Sequence, residues 1–267
     1  MKIAIIGAGH MGAWLVEEFN QKNTVGVYDK DQENMKYLFN AKRFKDMSDL
    51  EDFDPELLIN AVDLSHTVDA FKDAVQYISD DCIISDIASV KGGLEEYYEE
   101  VDNPFVSTHP MFGPTFANVR DLSNENAIII EESDPAGKKI FRELYEGLHL
   151  NIYEYSFEEH DKKTGYSLGI PFSASLVFAA CMEETEAPGT TFRKHMEIAR
   201  GLLSEDDYLL SEILFNPEVL PQIEKINSQL SYLTHIIKSR DYETMSDFLN
   251  RLRDNIQIPG GNDKDEE

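Results

Sequence analysis

Two short loops place proton-transferring and cationic side chains directly after apolar, strand-like runs. Ser89 and Lys91 follow the run at 81–86, and His109 follows the run at 104–107. A histidine held next to a proline can take a proton from a substrate hydroxyl as a hydride leaves the same carbon. Lys91 can neutralise a carboxylate, and Ser89 can orient His109 or a cofactor. These residue types together indicate hydride transfer on an anionic substrate.

The first residues of the chain have the pattern of a dinucleotide site. An apolar run at 2–6 ends in glycines at G-x-G-x-x-G spacing, and a stretch with helical periodicity follows. Gly7 permits a tight turn, Gly9 lets a pyrophosphate approach the backbone, and Gly12 lets the helix pack closely on the sheet. Free N–H groups at the helix start attract phosphates. The expected cofactor contacts are Gly7, Ala8, Gly9, His10, Met11 and Gly12.

An acid ends the second predicted strand, about twenty residues after the glycines. This acid, Asp29, can accept from the two ribose hydroxyls of a dinucleotide. It would repel the 2′-phosphate of NADP, so the pattern predicts NAD, although the adjacent Lys30 leaves NADP use open. A purely structural βαβ unit is the alternative, and the order strand, turn, helix, strand, acid argues against it.

Alternating strand and helix patterns predict a parallel sheet covered by helices. The predicted strands are 2–6, 24–28, 57–62, 81–86, 104–107, 125–130 and 150–154. The predicted helices are 12–21, 31–40, 66–78, 92–100 and 135–148. Asp134 and Pro135 are typical of a helix start, and Ser48 with Glu51 has the spacing of a capping box. Ligands of such a sheet bind beyond the carboxyl ends of its strands, which brings the two reactive loops towards the cofactor.

From about residue 155 the pattern is helical only. Ser156 and Glu159 again have capping-box spacing, and a proline and two glycines within 157–186 predict a kink near 167–171. Further helices are predicted at 190–203, 205–215, 217–239 and 241–256. An apolar seam along 217–239 packs either within the domain or against a second copy; its residues are Ile223, Ile226, Leu230, Leu233 and Ile237.

The predicted fold class is therefore α/β, a Rossmann-type dinucleotide-binding domain followed by an all-α domain. The expected boundaries are 1–154 for the Rossmann domain, 155–258 for a helical substrate-binding and dimerisation domain, and 259–267 for a disordered tail.

Composition narrows the partners and the compartment. The formal net charge of −27 disfavours nucleic acid as a partner, and no apolar run is long enough to span a bilayer. A strand that begins at residue 2 leaves no room for a signal peptide, and the two cysteines lack a Cys-x-x-Cys motif. We therefore expect a cytoplasmic protein without a disulfide or a metal site.

Two segments resemble the prephenate dehydrogenase family of tyrosine biosynthesis: Ser-Asp-Ile-Ala-Ser89-Val-Lys91-Gly and Thr-His109-Pro-Met-Phe-Gly-Pro114. The segments Glu159-His160-Asp161 and Thr190-Thr191-Phe192-Arg193 also fit this family. The resemblance runs from residue 2 to about residue 256 and includes neither a chorismate mutase domain nor a regulatory domain. It therefore implies a monofunctional enzyme.

The resemblance implies NAD-dependent oxidative decarboxylation of prephenate. His109 would accept the proton of the C4 hydroxyl, and Ser89 would orient His109 and the nicotinamide. Arg193 would hold a substrate carboxylate in a bidentate fork, and His160 would organise the site between the domains. Lys91 would either help to bind substrate or hold the loop on the cofactor side. Prephenate is a dianion, and the further basic residues near Arg193 are Lys194, His195 and Arg200. The expected assembly is a homodimer formed through the helical domain.

Several alternatives stay open at this point. Arogenate, with an ammonium in place of the keto group, fits the same pattern. A β-hydroxyacid dehydrogenase or imine reductase would need a lysine in the middle of the long helix, whereas Lys162 and Lys163 lie in its first turn. A His-Asp pair also occurs in metal-dependent phosphohydrolases, but the further ligands of such a site are not evident. A non-catalytic NAD sensor would not need His109, Lys91 and Arg193.

Overall fold

The computed structural model describes residues 1–113, 121–183 and 186–256. The strands in this part of the chain are β1 (Lys2–Ile6), β2 (Thr24–Tyr28), β3 (Lys42–Arg43), β4 (Leu57–Asn60), β5 (Ile83–Asp86), β6 (Phe105–Pro110), β7 (Asn126–Ile130) and β8 (Asn151–Tyr155). They form one sheet in the order β3-β2-β1-β4-β5-β6-β7-β8. Only β6 and β7 pair antiparallel, so the carboxyl ends of β1 to β6 share one edge.

Helices account for most of the remaining described residues. They are α1 (His10–Asn20), α2 (Asp49–Phe53), α3 (Thr67–Val75), α4 (Leu94–Glu100), α5 (Pro135–Gly147), α6 (Phe157–Ser167), α7 (Gly169–Ala180), α8 (Thr190–Leu202), α9 (Asp207–Phe215), α10 (Val219–Ser239) and α11 (Tyr242–Ile256). Short 3-10 helices cover Gln32–Met35 and Leu64–His66.

Alternate residues of the central strand pack against opposite helical layers. Ile3 and Ile5 lie in a buried cluster with side chains of α1 and α5, such as Phe19 and Phe141. The intervening residues of β1 lie in a second cluster with side chains of α2, α3 and α4, such as Phe71. A strand buried on both faces explains the continuous apolar run of β1. Since helices cover both faces, the carboxyl edge of the strands is the natural position for a ligand.

The predicted helix at 31–40 is wrong, because only Gln32–Met35 is helical and as a 3-10 turn. The carboxylate of Asp29 accepts from the backbone N–H of Asp31, and the carboxylate of Asp31 accepts from the backbone N–H of Glu33. Such local side-chain bonds compete with a regular helix. The two-residue strand β3 follows, which the sequence pattern did not predict.

The predicted helix caps have different outcomes. Asp134 caps α5 by accepting from two backbone N–H groups, and Ser156 and Glu159 form the predicted capping box of α6. Ser48 precedes α2 but does not cap it, because its hydroxyl donates to Asp46 instead. The Ser48 capping box is therefore wrong, although the short helix is present.

Up to residue 256, the elements described after β8 are all helical, as predicted. The kink predicted near 167–171 is a break between α6 and α7 at Leu168. The chain forms two compact units, one from Met1 to Leu220 and one that begins at Pro221. In the second unit, Tyr232 packs edge-on against Phe248 with ring centroids 5.6 Å apart. The predicted domain boundary at 154/155 stays a prediction.

The predicted tail at 259–267 lies outside the described residues. Among the helices of the described part, none has the combination of length and apolar character that a membrane crossing requires.

Candidate active site

The turn between β1 and α1 is built around three glycines. Gly7 has a φ of +92°, and a Cβ at this position would lie 2.5 Å from the carbonyl oxygen of Ala61. A Cβ at Gly12 would clash with the carbonyl oxygen of Gly7, so the helix starts in direct contact with the turn. A Cβ at Gly9 would meet no atom within 4 Å. The backbone at Gly9 therefore faces open space, as the approach of a pyrophosphate requires.

The N-terminus of α1 has donors to offer an anion. Gly9 is the N-cap residue, so no side chain caps the helix, and its first turn carries no acid. Gly9 and His10 are exposed, Met11 is half-buried and Ala8 is buried. Uncapped N–H groups at an exposed helix start attract phosphates. The described residues at this turn therefore fit a dinucleotide.

Asp29 is held where the second strand ends. Its carboxylate accepts from the backbone N–H of Ala8 at 2.6 Å, from Asp31 at 2.8 Å and from the Asn34 amide at 3.2 Å. A carboxylate has about four acceptor positions, so roughly one remains for a ribose hydroxyl. Lys30 lies beside it and is exposed.

A buried ion pair lies at the carboxyl ends of β5 and β6. The Lys91 ammonium bonds the Asp86 carboxylate at 2.5 Å and the carbonyl oxygen of Thr108 at 2.8 Å. The Tyr98 hydroxyl donates to the other carboxylate oxygen at 2.7 Å. Asp86 is fully buried and Lys91 is 2 % exposed. These two bonds leave one N–H of the ammonium for another partner.

His109 is buried and lies inside β6, one residue before its end, so the loop predicted for it after residues 104–107 is wrong. Its Nδ1 is 3.0 Å from Nε2 of His160 on α6. The Nδ1 of His160 is 3.1 Å from the Asp161 carboxylate, and the Thr164 hydroxyl lies 3.4 Å from its Nε2. The sheet and α6 thus bring together two histidines that are 51 residues apart in the chain.

The surroundings keep both imidazoles neutral. Burial, the neighbouring His160 ring and the Lys91 ammonium hold the pKa of His109 well below its ordinary value. Burial also lowers the pKa of His160, against the opposing effect of its hydrogen bond to Asp161. A neutral histidine in a buried site is available as a proton acceptor at neutral pH.

The remaining predicted site residues, Ser89 and Arg193, form no hydrogen bond with the buried residues described above, as far as the described part of the chain shows. Ser89 is half-buried in the loop after β5, and within the described residues no hydrogen bond joins it to His109, whose Nδ1 is bonded to His160. Arg193 is exposed on α8 and donates to the carbonyl oxygen of Pro188 and the hydroxyl of Thr190. The neighbouring basic residues of α8 are exposed as well: Lys194, His195 and Arg200.

Several contributors to the cluster had no role assigned from the sequence, among them Asp86, Tyr98 and Thr164. Asp86 gave a signal, because it is a charged residue at the end of a strand that begins with two isoleucines, and a buried charge requires a partner. Tyr98 and Thr164 gave no comparable signal, since hydroxyl-bearing residues are common on helices. Across the described residues, no group of three or more His, Cys, Asp and Glu side chains is arranged to hold a metal ion.

The chain is similar to curated proteins over most of its length. It is 24% identical over 204 residues to a "Probable arogenate/prephenate dehydrogenase" of Methanocaldococcus jannaschii, covering 70% of this chain and 45% of that protein. It is 22% identical over 240 residues to "Arogenate dehydrogenase 1, chloroplastic" of Arabidopsis thaliana, covering 85% and 38% respectively. The matches thus span less than half the length of either curated relative.

Solved structures share the fold at low sequence identity. Prephenate dehydrogenase from A. aeolicus, crystallised with hydroxyphenyl propionate and NAD⁺, superposes with a TM-score of 0.82 at 20% identity, covering 96% of both chains. Synechocystis arogenate dehydrogenase superposes with a TM-score of 0.74 at 17% identity, covering 96% of this chain and 98% of that one.

The family described as "Prephenate dehydrogenase, nucleotide-binding domain" matches residues 15–174, which is more than half of the chain. This match includes the buried ion pair, both histidines of the cluster and Asp161. The chain therefore belongs to the prephenate dehydrogenase family.

Proposed function

We propose that the chain catalyses the NAD-dependent oxidative decarboxylation of prephenate to 4-hydroxyphenylpyruvate. The observation that carries this proposal is the buried imidazole of His109, bonded through Nδ1 to His160 at the carboxyl edge of the sheet. One nitrogen is engaged, so the other is available to accept the proton of a substrate hydroxyl. The uncapped start of α1 belongs to the same edge and supports a cofactor there.

His109 acts as the proton acceptor in this reaction. Its Nε2 takes the proton of the C4 hydroxyl while C4 releases a hydride, for which bound NAD supplies the acceptor. The bond between the ring and its carboxylate then breaks, CO₂ leaves, and the released electron pair makes the ring aromatic. His109 returns its proton to the ring oxygen, so that the product is a phenol and no net proton is released.

NAD is held at the turn between β1 and α1. The open space beside Gly9 and the free N–H groups of α1 take the pyrophosphate, and Asp29 takes a ribose hydroxyl. The negative charge of Asp29 disfavours NADP, whereas the exposed Lys30 beside it reduces that preference. The NAD⁺ in the A. aeolicus structure supports the same cofactor.

Arg193 and Lys91 are the cations proposed for the two carboxylates of prephenate, and they differ in how many N–H donors they have left. Two of the five N–H donors of Arg193 are used locally, and the others can form a bidentate fork. Lys91 has one N–H left, so its main contribution is its positive charge beside His109. Ser89 contributes a hydroxyl from the loop after β5, where it orients the nicotinamide.

The helices at 155–258 form the substrate-binding and dimerisation domain in this proposal. The apolar seam of α10 supports a homodimer, because Leu230 and Ile237 are 54% and 59% exposed within one chain. Sedimentation of the chain is expected to give a dimer, and a Leu230→Lys variant is expected to give a larger monomer fraction. A wild-type monomer at micromolar concentration would contradict the dimer.

Arogenate is the second candidate substrate, because one curated relative and one solved neighbour are arogenate dehydrogenases. It differs from prephenate at the side chain and leaves the reacting ring unchanged. The same roles of His109 and Arg193 therefore serve both substrates.

The experiment is to measure NADH or NADPH formation with prephenate and with arogenate, each with NAD and NADP. The proposal predicts the highest kcat/KM with prephenate and NAD. Turnover of arogenate alone would change the substrate and keep the chemistry. Turnover of neither, together with measurable NAD binding, would favour a non-catalytic sensor.

A further inference from the structure

We propose that Asp161 and His160 act as a relay that fixes which nitrogen of His109 carries its proton. Both are positioning residues in this inference, since they act on the substrate only through His109. The inference rests on the proposed role of His109 as the proton acceptor.

The relay is a continuous chain of hydrogen bonds. It runs from the Asp161 carboxylate to His160 Nδ1 over 3.1 Å, and from His160 Nε2 to His109 Nδ1 over 3.0 Å. The His160 ring is fully buried, whereas the side chain of Asp161 is 43% exposed. Among these two residues, solvent therefore reaches the carboxylate and not the imidazole.

The direction of each bond follows from the chemistry of the carboxylate. An ionised carboxylate can only accept, so His160 must donate from Nδ1. A neutral imidazole has one N–H, which leaves Nε2 of His160 as an acceptor. His109 must then donate from Nδ1, and its own Nε2 carries a free lone pair. This is the tautomer that a proton acceptor needs.

The surroundings make this arrangement self-consistent. The Thr164 hydroxyl lies 3.4 Å from Nε2 of His160 and can donate to that same acceptor. In the described part of the chain, the charged groups that face the two imidazoles are Lys91, Asp86 and Asp161. The Lys91 ammonium disfavours a second positive charge beside it, so both rings stay neutral until His109 receives a proton from substrate. The Asp161 carboxylate then stabilises the cation through His160.

The test replaces Asp161 with asparagine and compares three readouts. An amide presents either its oxygen or its nitrogen to His160, so the tautomer of His109 is no longer enforced. We expect kcat to fall roughly 10- to 100-fold with KM nearly unchanged, because Asp161 does not touch the substrate. We also expect the acidic limb of the kcat/KM pH profile to move to lower pH, since a nearby negative charge is lost.

The third readout needs no turnover. In ¹⁵N NMR spectra of the full-length chain, wild-type His109 is expected to carry its proton on Nδ1, and Asp161→Asn is expected to add a population protonated on Nε2. Asp161→Glu keeps an acceptor-only group and is expected to restore part of kcat. Glu158→Gln is the matched control, because Glu158 is exposed on the same helix turn and pairs with Lys162.

The outcomes separate this inference from the proposed function. Wild-type His109 protonated on Nε2, or an Asp161→Asn variant with unchanged tautomer and pH profile, would overturn the relay. A wild-type chain that turns over neither prephenate nor arogenate would overturn the proposed function, and the NMR measurement would still decide the relay.

Discussion

Two groups of basic side chains in this chain occupy opposite environments. Lys91 and His109 are buried at the carboxyl edge of the sheet, and each is bonded to a partner from a different part of the structure. Arg193 and His195 on α8 are exposed, and their hydrogen bonds reach no further than five residues along the chain. The buried group has its bonding fixed by the fold, and the exposed group has most of its bonding capacity unused.

This difference in burial suits the two groups to different functions. A buried group can have its protonation state set in advance, because removal of water makes each neighbouring charge more effective. An exposed arginine has no such control, but it can reach a ligand and bond it in a fork. We therefore propose that the buried cluster transfers the proton and that α8 recognises the substrate carboxylate.

The largest difference is expected in stability. Lys91→Met leaves the buried Asp86 charge without a counterion, and removal of one partner of such a pair costs about 3–5 kcal/mol. Arg193→Met removes an exposed side chain that has no ion pair with the described residues, and it is expected to change the free energy of unfolding by less than about 0.5 kcal/mol. Urea denaturation of both variants measures the contrast.

A double variant tests whether the loss of stability in Lys91→Met comes from the unpaired charge of Asp86. Adding Asp86→Asn to Lys91→Met removes the unpaired charge, so part of the lost stability is expected to return. Equal stability of Lys91→Met and Arg193→Met would show that the ion pair is not held as described.

The next largest effect is expected in substrate affinity. Arg193→Lys keeps the positive charge but loses the fork, so KM for prephenate is expected to rise roughly 10- to 100-fold with little change in kcat. Arg253→Lys, an exposed arginine on α11, is the matched control. An unchanged KM in Arg193→Lys would remove this residue from the substrate site.

The smallest effect is expected in the pH dependence. In the unfolded chain, histidines bind protons near pH 6.5, whereas the folded state holds the pKa values of His109 and His160 lower. The free energy of unfolding is therefore expected to fall as the pH decreases below about 6.5 and to be retained above it. Thermal denaturation between pH 8 and 5 measures this slope.

His109→Asn is expected to reduce that slope, because one of the two contributing groups is removed. The value of kcat/KM is also expected to fall towards low pH. Because the pKa of His109 is lowered, this fall begins only below pH 6.5, where His109 takes up a proton. A profile that already declines above pH 7 would contradict a base with a lowered pKa.

The sequence predicts the position of some site residues in the fold better than it predicts their bonding partners. The predicted strands put Asp29 and His109 at the carboxyl edge of the sheet, where the structure has them. This was possible because parallel strands and glycine turns have strong local patterns. For Lys91 the sequence left two roles open, binding substrate or holding the loop on the cofactor side, and it did not reveal the partners of the ammonium. Its second partner, the Thr108 carbonyl, lies 17 residues away on another strand, and spacing does not reveal such a pairing.

For His160, too, the sequence predicts the local position but not the tertiary contact. Its place at the start of α6 followed from the Ser156 capping box, which is a local signal. Its contact with His109 depends on how α6 packs near β6, which is a property of the tertiary structure. The wrong helix at 31–40 has a local cause, since side-chain bonds at Asp29 and Asp31 outcompete the helical pattern.

The most direct test of the account is the turnover of prephenate by His109→Asn, beside wild type and the exposed control His235→Asn. We expect kcat to fall roughly 10²- to 10⁴-fold in His109→Asn, while its Kd for NAD stays at the wild-type value. The kcat of His235→Asn is expected to equal that of wild type. Turnover of His109→Asn within about twofold of wild type would contradict His109 as the proton acceptor.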